Sequence, residues 1–156
     1  MNIIRMNLHH ISKIYEIQLA SYPASLHESQ DMFANIINAS NYLCYIALQK
    51  EEIIGYILGY PTQDTRNNFD QGFVKIKTRC NCVYLHDLCI KIEKRGLNIS
   101  RLLLEAFFAD ASKMGYKKII AVAIADSIKF WTKIGFVQDE DCLYNGNRAS
   151  RIYKYI

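Results

Sequence analysis

No apolar run in this 156-residue chain approaches the ~18 residues of a membrane-spanning helix. The first residues lack the long apolar core of a signal peptide, because Arg5, Asn7, His9 and His10 interrupt it. These two absences predict a cytoplasmic protein with no membrane partner, whose five cysteines are reduced thiols. Basic residues are scattered, with no run longer than Lys94-Arg95 or Lys117-Lys118, which argues against a nucleic-acid partner. There is no Gly-x-Gly-x-x-Gly and no series of βαβ units, which excludes a Rossmann fold. Internal repeats and low-complexity segments are also missing. Cys80-Asn81-Cys82 precedes His86, but no second ligand pair has zinc spacing, so no metal is expected.

What is there reads as one globular domain over residues 1–156. Apolar residues make up 51% and charged residues 22%, and the net charge of +4 favours an anionic ligand. Asn2 to Met6 reads as a strand and His9 to Ala20 as a helix ended by Pro23. Ser25-Leu26-His27-Glu28 fits a capping box and predicts a second helix from Ser25 to about Ala39. Tyr42–Leu48 and Ile53–Tyr60 read as central strands joined by a polar turn. Pro61 to Gly72 reads as a polar loop near the site mouth, and Phe73 to Thr78 as the approach to the next strand. The helix from about Ser100 to Met114 buries Leu103, Phe107, Ala111 and Met114 and is stopped by Gly115. Two short strands, near 137–141 and 150–156, close the chain around a turn at Tyr144 to Asn147.

The chain is organised around Tyr84 to Phe136. An apolar strand ends at Ile90, a charged turn leads to Arg95-Gly96-Leu97-Asn98-Ile99-Ser100, and a helix follows. This order aims backbone N–H groups and the positive end of a helix dipole at one point, an anion site suited to a phosphate or pyrophosphate.

Arg95-Gly96-Leu97-Asn98-Ile99-Ser100 after Leu85-His86-Asp87-Leu88-Cys89-Ile90 resembles the pyrophosphate loop of the GCN5-related N-acetyltransferases, the GNAT family. That loop reads Arg/Gln-x-x-Gly-x-Gly/Ala. Phe130-Trp131-Thr132-Lys133-Ile134-Gly135-Phe136 resembles the family's Phe-Tyr-x-x-x-Gly-Phe. The two motifs and their spacing cover about a third of the chain. The resemblance implies an α/β (α+β) GNAT fold, with a mixed, mostly antiparallel sheet of six to seven strands and helices on both faces.

The resemblance also implies acetyl-CoA as co-substrate. Its ligands would be the backbone of Leu88, Cys89 and Ile90, the loop Arg95, Gly96, Leu97, Asn98, Ile99 and Ser100, and Phe130 with Trp131. The oxyanion donor would be a main-chain N–H near Cys89 or Ile90, where the family strand bulges. Asn98 departs from the family's glycine, yet asparagine is the other residue at ease in the left-handed region. Tyr84-Leu85-His86-Asp87-Leu88-Cys89-Ile90 is similar to the His-Leu-His-Val-Leu-Ala-Val strand of arylalkylamine N-acetyltransferases. It makes His86 the candidate general base with Tyr84 beside it; the other reading of His86 is a core histidine. Strand alternation places Asp87 on the opposite face. Tyr22, Leu26 and His27 lie where the family overhangs its acceptor, either touching substrate or stapling the loop. Trp131 replaces the family's tyrosine, and an indole N–H cannot protonate a thiolate. Water or a phenol such as Tyr144 must then do so.

The expected activity is transfer of acetyl to the primary amine of a small molecule by direct attack in a ternary complex. Glu28, Asp64 and Asp70 are placed to attract a cationic acceptor. The alternative is a non-catalytic acyl-CoA sensor, motivated by Asn98 and Trp131. Strands near the C-terminus could pair in a homodimer, as in the family. The sequence leaves open the acceptor, the acyl chain preference, the oligomeric state and the pathway.

Overall fold

The computed structural model describes residues 1–39, 42–64 and 80–156. The expected loop residues from Thr65 to Gly72 and the Phe73–Thr78 segment lie outside the described residues. The elements are β1 (Asn2–Arg5), α1 (Ile11–Ser21), α2 (Gln30–Ile37), β2 (Tyr45–Gln49), β3 (Glu52–Thr62), β4 (Cys82–Ile90), α3 (Ile99–Lys113), β5 (Lys118–Ile124), α4 (Ile128–Lys133), β6 (Val137–Tyr144) and β7 (Asn147–Tyr155). They build a seven-stranded sheet in the order β1-β2-β3-β4-β5-β7-β6. Its described pairings are antiparallel except β4 with β5.

Each face of the sheet has its own core. On one, Leu103, Leu104, Phe107 and Ala111 of α3 and Trp131 of α4 pack on Leu43, Ile57, Val83, Leu85 and Ala121. On the other, Ile14 and Ile17 of α1 and Phe33, Ile36 and Ile37 of α2 cover Ile46, Tyr56, Leu58 and Tyr84. Burying each large apolar side chain contributes about 1.5–3 kcal/mol, so both layers clamp the central strands. No helix among the described residues is long and apolar enough to cross a membrane.

Two local features differ from the sequence reading, and both shape the site. The second helix starts at Gln30, not Ser25. Ser29 is its N-cap, accepting from the Met32 N–H at 3.2 Å, while Ala24–Leu26 is a separate 3-10 turn. A cap is worth about 1 kcal/mol wherever a serine supplies it. Ser29 supplies it here, so Glu28 is released from capping.

The second feature is a bulge in β4. Leu58 pairs with Asp87, but Gly59 pairs with Leu85, which leaves His86 as the extra residue. An extra residue cancels the two-residue alternation. Asp87 therefore does not face away from His86. Both point to the α1–α2 side, where Tyr60 and Tyr84 meet His86 and Tyr22 and Tyr56 meet Asp87. Opposite the bulge, a Cβ at Gly59 would lie 2.5 Å from the Phe107 ring and 2.7 Å from the Tyr84 carbonyl, so only glycine fits.

Candidate active site

β4 and β5 pair only from Val83–Ile119 to Leu85–Ala121, while β5 continues beside β7 as far as Ile124. Beyond Leu85 the two strands separate, and a cleft of about 870 Å³ opens between them. That volume is in the range of sites for small organic ligands. Its walls include Leu88, Cys89 and Ile90 on one side, Val122 and Ile124 on the other, and Phe130 and Trp131 from α4.

The gap exposes main chain. The Lys91 N–H donates to the Ile54 carbonyl at 3.0 Å. Hydrogen-bonding direction alternates along an antiparallel strand, so Cys89 turns its main chain to β3, while Leu88 and Ile90 turn theirs to the gap. The Ile90 carbonyl accepts from Arg95 Nε at 3.3 Å, and the Leu88 carbonyl lies 3.0 Å from Tyr22 Oη. Of the two positions singled out for an oxyanion donor, Ile90 is the one facing the cleft.

The first turn of α3 opens at one end of the cleft. Asn98 is its N-cap, at φ 63° and ψ 13°, and Gly96 has φ 78°. Left-handed residues bend the loop so that the N–H groups of the first turn, which have no partner within the helix, point toward the cleft. Gly96, Asn98, Ile99 and Ser100 line it with Arg95, whereas Leu97 is 60% exposed and stands outside the lining. Ser100 lies inside the helix, and Asn98 holds the cap position.

At the other end stands a chain of polar groups. His86 Nε2 lies 2.6 Å from Glu28 Oε2, and Tyr144 Oη donates to Glu28 Oε1 at 2.8 Å. Gln18, itself buried, fixes Glu28 from below: its Oε1 accepts from the Glu28 N–H (2.9 Å) and its Nε2 donates to the Glu28 carbonyl (3.2 Å). Burial opposes a charge on His86, but the hydrogen bond and charge of Glu28, with the charge of Asp87, outweigh it and raise its pKa. Burial likewise pushes Glu28 up, and the bonds from His86 and Tyr144 outweigh it and lower its pKa. Both shifts favour the charged form of the pair, imidazolium with carboxylate. His86 Nδ1 is buried with no partner among the described residues.

Beside this chain, Asp87 is buried between two phenols, with Tyr22 Oη 2.7 Å from Oδ1 and Tyr56 Oη 2.6 Å from Oδ2. Burial raises its pKa despite both bonds. Burial also pushes the Cys89 thiol up to about 11, with Asp87 adding to the effect, which leaves it a poor nucleophile at neutral pH.

Tyr84 lines the cleft with its ring edge-on to His86, centroids 5.7 Å apart. Tyr22 and Leu26 line it too; His27 does not, its Nε2 lying 2.7 Å from the Tyr22 carbonyl. Asp64 ion-pairs with Lys118 and Arg151, away from the cleft. Glu28 and Gln18 carry more of the site than the sequence reading gave them. Serine with glutamate three residues later made Glu28 look like a cap, and a glutamine on a helix face carries no distinctive signal.

A mixed sheet whose one described parallel pair splays open above a helix N-terminus is a GNAT-type fold. Residues 11–136 match the acetyltransferase (GNAT) family, and the chain belongs to that family. No curated protein sequence matches it. Among solved structures, the GphF GNAT-like decarboxylase in complex with isobutyryl-CoA superposes with a TM-score of 0.86 at 12% identity, over 99% of each chain. Arabidopsis thaliana Naa50, bound to a bisubstrate analogue, gives 0.76 at 16% identity, over 99% of this chain and 98% of that one. The PaiA N-acetyltransferase from Thermoplasma acidophilum, in complex with coenzyme A, gives 0.75 at 17%, over 99% and 98%.

Proposed function

We propose that the protein transfers an acetyl group from acetyl-CoA to the primary amine of a small molecule, by direct attack in a ternary complex. The observation that carries this reading is one continuous cleft with a phosphate-type cradle at one end and the His86–Glu28 pair at the other. The cradle fits acetyl-CoA: free N–H groups at the start of α3 suit the pyrophosphate. The main chain of Leu88 and Ile90 suits the pantetheine arm, with the Ile90 N–H facing the thioester oxygen. Trp131 walls the thioester. His86, held by Glu28 and packed against Tyr84, takes a proton from the amine as nitrogen bonds to the acyl carbon and the C–S bond breaks. Solvent protonates the thiolate, since Tyr144 donates to Glu28. The raised thiol pKa of Cys89 favours direct attack over an acyl-cysteine intermediate.

The test is thiol release from acetyl-CoA across pools of aralkyl amines, polyamines, aminoglycosides, amino acids and short peptides, against a no-amine baseline. Amine-dependent release is expected. His86→Ala should lower turnover most at neutral pH and recover in part at high pH, where the amine is already neutral. An unchanged pH profile in that variant removes His86 from the base role.

A second reading is favoured by one observation: Glu28 beside His86 raises the imidazole pKa, while Trp131 offers no acidic proton. Such a site suits decarboxylation of an α-carboxyacyl-CoA, and GphF is named a GNAT-like decarboxylase. Carbon dioxide leaves, the electron pair enters the thioester enolate, and His86 returns a proton to the α-carbon. Conversion of malonyl-CoA to acetyl-CoA without thiol release would support it. Binding of acetyl-CoA with neither reaction would leave the sensor reading.

A further inference from the structure

The acceptor end of the cleft is bridged by two segments remote in sequence. Tyr144 Oη donates to Glu28 Oε1 at 2.8 Å, and Asn147 Nδ2 donates to Ser25 Oγ at 3.3 Å. One side of the bridge is the connection between α1 and α2; the other is the β6–β7 hairpin. Both are anchored. Gln18 pins the main chain of Glu28. The hairpin turns through Asn145 (φ 48°) and Gly146 (φ 76°), and the Asn147 amide also holds the carbonyls of Tyr144 and Asn145. A polypeptide reaching His86 from this side would have to pass between two segments that are tied together.

The two oxygens of Glu28 differ. Oε2 holds the imidazole, whereas Oε1 is met by a neutral hydroxyl. Exchanging a hydroxyl for an ammonium on an ionised carboxylate replaces a bond with one neutral partner by one between full charges. Tyr84 and Tyr144 line the same part of the cleft. Lys94 and Arg95 lie at the opposite, phosphate end. Next to the site, His86 Nδ1 is buried without a partner among the described residues.

We propose that Glu28 Oε1 is the docking point of the acceptor's ammonium, that the Tyr144 hydroxyl is its place-holder, and that the acceptor is a compact primary amine rather than a polypeptide N-terminus. This rests on the acyl-transfer reading and names its substrate class. The ammonium docks one carboxylate away from the imidazole, so Glu28 both positions the base and presents the nucleophile to it.

The chain's one tryptophan, Trp131, lines the cleft, so its fluorescence reports binding without turnover. With desulfo-CoA in place, phenethylamine, spermidine and an Ala-initiated hexapeptide are titrated into the wild type, Glu28→Gln and the double variant Tyr144→Phe/Asn147→Ala. At least one small amine should bind the wild type, and Glu28→Gln should weaken it by about tenfold or more, the scale of a charge-assisted bond. The double variant should bind that amine more tightly and take up the hexapeptide, which the wild type rejects. The proposal is overturned if neither small amine binds saturably, if the hexapeptide matches them on the wild type, or if Glu28→Gln leaves amine affinity unchanged. Thiol release from acetyl-CoA is followed in parallel. Amine binding without release sinks the acyl-transfer reading and leaves the docking point standing; release with an unaltered amine KM in Glu28→Gln sinks only the docking point.

Discussion

Asn98 occupies the tightest bend of the phosphate-type loop, and replacing it tests whether that loop works through its backbone. The residue sits at φ 63°, where a side chain costs roughly 1–2 kcal/mol relative to glycine, with asparagine penalised least. Its side chain makes no capping hydrogen bond, so its removal breaks no cap at the helix start. Asn98→Gly therefore relieves backbone strain but gives the unfolded chain more freedom, an opposing term of roughly 0.5–1 kcal/mol. The two nearly cancel, and the thermal midpoint should stay within about 2 °C of wild type. Asn98→Ala keeps the Cβ and loses the tolerance of asparagine. It should cost about 1 kcal/mol, or about 2–4 °C for a domain of this size. Acetyl-CoA affinity, read by isothermal titration calorimetry beside the melting curves, should be equal or higher in the glycine variant and lower in the alanine variant. A glycine variant that binds about tenfold more weakly, a loss of about 1.4 kcal/mol, would make the Asn98 side chain a ligand and refute the backbone account.

Further expectations concern the polar chain and the core beneath it. In Glu28→Gln the carboxylate that raises the His86 pKa is gone, burial dominates, and the alkaline-rising limb of kcat should move to lower pH; an unmoved limb denies Glu28 its hold on the base. The same pair sets a stability window. The raised His86 pKa contributes stability that is lost as pH rises through it, and the lowered Glu28 pKa contributes stability that is lost as pH falls through it. The stability gap between wild type and Glu28→Gln, measured by urea denaturation, should therefore be widest between those two values and narrow on either side. Tyr56→Phe strips the buried Asp87 Oδ2 of its 2.6 Å partner and should cost about 1–3 kcal/mol by the same assay. A loss below about 0.5 kcal/mol would mean that the carboxylate does not depend on that phenol.

The order of elements was legible because Tyr42 to Leu48 and Val83 to Ile90 are largely apolar runs of strand length, and Leu103 to Ala111 repeats its apolar residues at helical spacing. The strand–loop–helix motif also marked the bend before α3, since its two left-handed positions are announced by a Gly-x-Asn pattern. The catalytic end was less legible for two physical reasons. A glutamate three residues after a serine satisfies a local capping pattern whether or not a better cap, here Ser29, stands one residue further on. Alternation along a strand carries no mark of an inserted residue, so Asp87 was assigned to the wrong face. A hint lay on the partner strand, in Gly59, one of two glycines within an apolar run. For Trp131, only the fold shows that it packs edge-on against Phe130 and Phe136 while still lining the cleft.

The bulge at His86 sets chemistry and sheet regularity against each other. A chain shortened by that single residue would have an uninterrupted ladder between β3 and β4, with Leu85 and Asp87 in ordinary succession. It would pair its strands better and lose the His86–Glu28 contact. Length variation at this point of the chain is therefore not neutral, unlike length variation in a surface loop. Losing one codon would take His86 from beside Glu28, and gaining one would rotate Asp87 away from the phenols that hold it. Screens that select such chains for solubility or heat resistance alone would favour the regular ladder, and would return well-folded proteins without the His86–Glu28 pair.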